Sequence, residues 1–279
     1  MRIVRTVAEV REALREPRSR GERIGLVPTM GAFHAGHVAL MRAAREASDI
    51  VVVSLFVNPS QFNAAEDLAR YPRDEATDAQ MAEAEGVDVL FAPSPDELYP
   101  EPFDTWVEPG SLSTMLEGAA RPGHFRGVAT VCAKLFAIVG PSAAWFGQKD
   151  AQQVAVVRRM VADLNLPLSI EVLPTVRDPD GLAASSRNVL LSPTERAAAL
   201  ALPRAVAAGA RAHAAGADPV EAARGVLATE RALIVEYVDV ADFGVRTLVA
   251  AVRVGTTRLI DNAPLVDTGP VTTDAARHG

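Results

Sequence analysis

Apolar and polar positions follow two different rhythms in this chain, and the change falls near residue 177. Before it, short apolar runs alternate with stretches of helical period. Residues 24–27 read as a strand. In residues 36–48, Leu40, Ala43, Ala44 and Ala47 recur at i, i+3, i+4 and i+7, which predicts one buried helix face. Residues 50–57 form a continuous apolar run rich in β-branched side chains, the signature of a strand buried on both faces. Residues 74–85 predict a helix stopped by Gly86, and residues 87–92 the next strand. A helix over 127–139 ends at Gly140-Pro141, a short strand covers 144–146, a helix 150–164 and another strand 169–173. Strands spaced by helices predict an α/β fold, a Rossmann-like parallel sheet covered on both faces, over residues 1–176.

From residue 177 the rhythm changes. Two alanine-rich helical stretches, 194–214 and 219–234, precede strand candidates at 236–240, 248–254 and 257–260, the last two joined by a short link. This predicts a smaller α+β C-terminal domain over 177–279, hinged near 174–181 where Pro174, Pro179 and Gly181 cluster and placed as a lid. Residues after Asn262 are expected to be loosely ordered.

Composition narrows the function. A net charge of −7 supplies no basic field to gather nucleic acid. The lone Cys132 excludes an intrachain disulfide and fits a reducing compartment, with core filling as its expected role. The first residues lack the apolar stretch of a signal peptide, and no segment approaches the ~20 apolar residues of a membrane span. A cytoplasmic protein without a membrane partner is expected.

Candidate chemistry concentrates where strands hand over to helices. Pro28-Thr29-Met30-Gly31-Ala32-Phe33-His34-Ala35-Gly36-His37 places two imidazoles and two glycines at such a corner. A helix N-terminus offers free N–H groups and a positive dipole end to phosphate, and histidines there can share developing negative charge. Asn58-Pro59-Ser60-Gln61-Phe62 presents the Asn58 and Gln61 amides after the buried strand. The Gln61 carboxamide can orient a hydroxyl or carboxylate without adding charge. Gly147-Gln148-Lys149-Asp150 forms a second corner; Lys149 can meet phosphate, and Gln153, three residues beyond Asp150, shares its helix face. Ser185-Ser186-Arg187-Asn188 joins two hydroxyls to a guanidinium in a loop near the domain junction. Residues 117–127 are turn-rich, readable as a substrate-side loop or as simple helix entry. His213 and His278 carry no motif and are read as solvated.

His34-Ala35-Gly36-His37 alone resembles the signature of a superfamily of nucleotidyl-transferring enzymes. A dinucleotide-forming transferase, an aminoacyl-tRNA synthetase and a nucleotide sensor stay open on that motif. The full set of motifs, in order over residues 28–188, resembles the pantoate–β-alanine ligase (pantothenate synthetase) family. The resemblance implies an ATP-dependent condensation of (R)-pantoate with β-alanine to pantothenate, AMP and pyrophosphate through pantoyl adenylate. Mg²⁺ would travel with ATP, since no cysteine–histidine cluster points to a bound catalytic metal.

Family roles carry over by position. Met30, Gly31, Ala32, Phe33, His34, Ala35, Gly36 and His37 would line the ATP site, with Gly147, Gln148, Lys149, Asp150, Val176, Ala184, Ser185, Ser186 and Arg187. His37, His34 and Lys149 would be catalytic, His37 as proton donor. Gln61 and Gln153 would hold pantoate, Gln61 also β-alanine, with Asn58 and Glu117 as further site residues. The resemblance also implies a homodimer. Ala35, Ala151 and Ala184 depart from the usual glutamate, aromatic and methionine of the family, removing no donor but altering the surroundings of the nucleotide.

Overall fold

The computed structural model describes residues 1–63 and 65–266. Among these, six strands form one sheet: β1 (Arg2–Val4), β2 (Ile24–Thr29), β3 (Ile50–Leu55), β4 (Val89–Phe91), β5 (Ala143–Gly147) and β6 (Ser169–Leu173). Their order is β1-β4-β3-β2-β5-β6, and every neighbouring pair is parallel. The Rossmann-like expectation holds. From β2 the chain builds outward through β3 and β4, then returns to place β5 and β6 on the other side. Ligand crevices open at such a reversal, beyond the carboxyl ends of the two central strands.

Proline helps open this one. The Ile24 carbonyl faces Ser142 before β5, whereas the Thr29 carbonyl accepts from Phe56 beyond β3. Alternation along the strand therefore turns Pro28 toward β5, where it has no N–H to extend the ladder. The β2–β5 register ends two residues earlier, at Leu26↔Ala144.

The two sheet faces carry separate cores. Leu26 and Val52 pack with Val128, Leu135 and Phe136 of the His124–Val139 helix. Val27, Val51 and Val53 pack with Leu40, Met41 and Ala44 of the Ala35–Ala47 helix. This is the two-residue alternation of a strand buried on both sides. Cys132 lies in the first core, where burial pushes its thiol up to about 12.

The first compact unit runs through Val189, beyond the boundary expected after residue 176. Residues 177–188 turn back on their own unit: Arg177 bridges Ala183, and the Ala184 N–H donates to the Val176 carbonyl at 2.9 Å. The Asn188 amide ties to Ala183 and Asp178.

The second unit begins at Leu190. Its strands β7 (Leu233–Asp242), β8 (Arg246–Val254) and β9 (Thr257–Pro264) form an antiparallel meander, in line with an α+β reading. The helix expected over 194–214 breaks at Leu200 into Pro193–Ala199 and Ala201–Ala214. Pro203 then falls in a first turn, where its missing N–H is harmless. The helix expected over 219–234 stops at Leu227, because the β-branched run from Leu233 pairs with β8 instead. β9 continues past Asn262 to Pro264. His213 is half-buried, and His278 lies outside the described residues. Among the described residues no helix is long and apolar enough to cross a membrane.

Candidate active site

The corner after β2 is held from below by a buried carboxylate. Gly31 and Ala32 both adopt positive φ, 82° and 52°. The N–H groups of Ala32 and Phe33 then point at Asp78, which accepts them at 2.8 and 2.7 Å. Burial raises the Asp78 pKa, opposed by these two bonds. A Cβ at Gly31 would lie 2.9 Å from the Asp78 carboxylate and 2.7 Å from Leu55, so only glycine fits.

His34 caps the Ala35–Ala47 helix. Its Nδ1 accepts the Gly36 N–H at 3.1 Å, and His37 Nδ1 accepts the His34 N–H at 3.3 Å. Two imidazoles thus form a reciprocal capping box. With both Nδ1 atoms accepting, each neutral ring carries its proton on Nε2. The rings lie 4.1 Å apart, centroid to centroid. Burial and the Lys149 charge lower His34 to about 4; burial, His34 and Lys149 lower His37 to about 3. Both are neutral hydrogen-bond donors at pH 7.

The corner after β5 is a single 3₁₀ turn, Gln148–Asp150, leading into the Ala151–Asp163 helix. Lys149 Nζ lies 3.8 Å from Asp150. Gln152 turns inward, donating to the carbonyls of Leu112 and Met115 and accepting the Glu117 N–H. In the Ser185–Arg187 loop, Ser186 donates to the Tyr71 hydroxyl at 3.3 Å, while Arg187 reaches Asp67 at 3.3 Å and lies over the Tyr71 ring.

The turn after β3 centres on buried Asn58. Its Oδ1 accepts from Tyr99 and Ser60, and its Nδ2 donates to Gln61 Oε1 at 3.0 Å and to the Gly127 carbonyl at 3.2 Å. Gln61 Nε2 approaches Met30 Sδ at 2.9 Å.

These segments line one cavity in the first unit. Its wall includes Met30, His34, Gly36, His37, Asn58, Gln61, Gly147, Lys149, Asp150, Gln153, Val176, Ala184, Ser185, Ser186 and Arg187.

The sequence profile described as pantoate–β-alanine ligase matches residues 2–264. The chain is 51% identical to pantothenate synthetase 1 of Bradyrhizobium diazoefficiens, over 95% of this chain and 98% of that one. It is 52% identical to a pantothenate synthetase of Roseiflexus, covering 95% and 99%. This chain belongs to the pantoate–β-alanine ligase family. The crystal structure of pantothenate synthetase from Thermus thermophilus superposes with a TM-score of 0.91 at 45% identity, covering 95% and 99% of the chains. A pantoate–β-alanine ligase from Francisella tularensis, in complex with β,γ-ATP and β-alanine, superposes with a TM-score of 0.83 at 33% identity, covering 95% and 98%. The chain is a ligase that joins pantoate to β-alanine.

In this ligase the cavity wall does not take in every expected ATP-site residue. Gly31, Ala32, Phe33, Ala35 and Gln148 are outside the cavity lining; Ala32 and Phe33 spend their N–H groups on Asp78. Glu117 is buried outside the lining, its N–H held by Gln152. The Ser185–Arg187 loop belongs to the first unit, with no need of a hinge to bring it to the cavity. Ala184 is a wall residue, so a larger side chain there would narrow the cavity.

Sequence reasoning missed Thr29, Tyr71, Arg121 and His124 in the wall, and Asp78 beneath it. Tyr71 and Asp78 carry no local signature. The stretch that holds Arg121 and His124 was readable as a substrate-side loop or as simple helix entry, and nothing in it singled out these two side chains for the wall.

Proposed function

We propose that the cavity binds ATP between the two strand-to-helix corners and the Ser185–Arg187 loop, with pantoate against Gln61 and Gln153. The observation that carries this reading is that all these segments, distant in sequence, line one cavity at the reversal between β2 and β5.

In the first step a pantoate carboxylate oxygen attacks the α-phosphorus of ATP, and pyrophosphate leaves. Negative charge grows on the departing oxygens. Donors aimed there strengthen in the transition state: His34 and His37 through Nε2–H, Lys149, Ser185, Ser186 and Arg187. Both imidazoles are neutral in the free site, so their first role is to donate hydrogen bonds. Phosphate charge beside His37 raises its pKa and equips it to pass a proton. In the second step the β-alanine amine attacks the acyl carbon and AMP leaves. Gln61, a wall residue beside Met30, meets β-alanine as well.

Neutral glutamines hold pantoate because a guanidinium paired with its carboxylate would quench the nucleophile. Gln153→Arg should therefore bind pantoate and adenylate it slowly; an intact adenylation rate would contradict this account.

Mg²⁺ enters with ATP. Among the described residues no group of three or more His, Cys, Asp or Glu side chains is placed to hold a metal. The carboxylate this wall offers beside Lys149 is Asp150, which can meet a hydrated ion carried by the triphosphate. The enzyme works as a homodimer and acts in the cytoplasm.

The deciding experiment is pyrophosphate release from ATP and Mg²⁺ with (R)-pantoate, before and after β-alanine is added. Pantoate-dependent release, accelerated by β-alanine with pantothenate and AMP formed, is expected. ATP binding without release would make the cavity a sensor.

A further inference from the structure

The Gln61 main-chain carbonyl is gripped from the start of the His124–Val139 helix. His124 Nδ1 lies 2.8 Å from that oxygen, and Arg121 Nη2 donates to it at 3.1 Å. The two gripping side chains also touch, Arg121 Nη1 standing 3.3 Å from His124 Nε2. These partners fix the imidazole's tautomer. A carbonyl only accepts, so Nδ1 bears the proton; a guanidinium only donates, so Nε2 offers its lone pair. His124 is 7% exposed, and both side chains reach the cavity wall.

The same helix holds the turn at a second point. The Gly127 carbonyl accepts from Asn58 Nδ2, whose other hydrogen bond goes to the Gln61 side chain. A Cβ on Gly127 would lie 2.4 Å from the Ser60 carbonyl oxygen and 2.8 Å from Gln61 Cα, so helix and turn are in backbone contact. The Gln61 main chain is thus fixed by His124 and Arg121, and its carboxamide oxygen by Asn58.

We propose that His124, seconded by Arg121, is a positioning residue for the substrate-holding glutamine. It touches no reacting atom and acts by setting where the Gln61 carboxamide points. The proposal rests on the reading of Gln61 as a pantoate ligand. A histidine that merely stabilised the fold would affect both substrates alike; a positioning residue affects the substrate its partner holds. Asparagine can place Nδ2 where histidine places Nδ1, which allows a conservative rescue.

The test is steady-state kinetics on the intact enzyme, with pantoate and ATP varied separately, for His124→Leu, His124→Asn, Arg121→Met and Gln61→Ala. His124→Leu should raise the pantoate KM about tenfold, the loss of one buried hydrogen bond, with the ATP KM within about twofold. Arg121→Met should move the same parameter in the same direction, and His124→Asn should recover most of the loss. Equal changes in both KM values, an unchanged pantoate KM in His124→Leu, or His124→Asn as impaired as His124→Leu would each overturn the proposal. If His124→Leu does not fold, the Asn and Met variants decide, since normal pantoate KM in Arg121→Met also overturns it. An unaltered pantoate KM in Gln61→Ala would overturn the Gln61 reading itself, separately from the histidine.

Discussion

The Asp78 carboxylate, on the Glu75–Ala84 helix, receives the Phe33 N–H at 2.7 Å, one residue before the first signature histidine. With the Ala32 N–H at 2.8 Å, it pins a backbone turn in which Ala32 has φ of 52°. A non-glycine residue in that region is strained and must be held by its surroundings. Asp78→Ala would leave two inward N–H groups unpaired and should lose about 1–3 kcal/mol of stability. ATP affinity should fall with it, because His34 and His37 follow the turn directly. Urea unfolding and calorimetric ATP titration check both; unchanged affinity would show that the corner holds itself.

The three wall imidazoles link stability to pH. Burial is the leading cause in each case, taking His34 and His124 to about 4 and His37 to about 3, from an ordinary value of 6.5. Between pH 6.5 and about 4 the unfolded chain binds protons that the folded chain refuses. Stability from these groups is therefore present above pH 6.5 and is lost as pH falls through that window, each steepening the slope by at most about 1.4 kcal/mol per pH unit. Unfolding midpoints at pH 7 and pH 5 should lie closer together in His124→Gln than in the parent. Equal separation in the two proteins would remove His124 from this account.

Two glycines should respond differently to alanine. At Gly36 a Cβ would come within 2.9 Å of His34 Cε1, an imidazole that can swing away. Gly36→Ala should melt near the parent temperature yet lose about 10²-fold in rate, since a displaced donor no longer meets the phosphate. At Gly127 the obstacle is backbone, so Gly127→Ala should lose about 1–3 kcal/mol and bind pantoate more weakly. Thermal melts paired with turnover separate the two effects.

Lys149 stands in the cavity wall with its ammonium 3.8 Å from Asp150. Lys149→Ala should keep the fold and lower pantoate-dependent pyrophosphate release by about 10²–10³, the usual effect of removing one transition-state donor. Near-parental release would show that the charge lies off the reaction path.

Much of this was legible from the chain alone. The β-branched run at 50–57 and the helical period after His37 identify a buried parallel strand and its crossover, because both signals depend on local spacing. His34 and His37 show by their spacing that they share a helix start. Gln61, Lys149 and Ser185–Arg187 stand out as polar groups placed just after strands or in a loop. The end of the helix at Leu227 was less legible: alanine-rich sequence carries helical period on past it, and only pairing of Leu233 with Val254 decides for a strand.

Sequence by itself determined the alternation of strand and helix, the two corners and the type of chemistry they present, since these follow from periodicity and from residues that are neighbours along the chain. Tertiary structure alone decided that β2 lies beside β5, that Asp78 supports the signature corner, and that His124 and Arg121 hold the Gln61 carbonyl. Each of these joins residues separated by tens of positions. Their pairing is set by strand order and by helix packing on the sheet, and no local spacing records it.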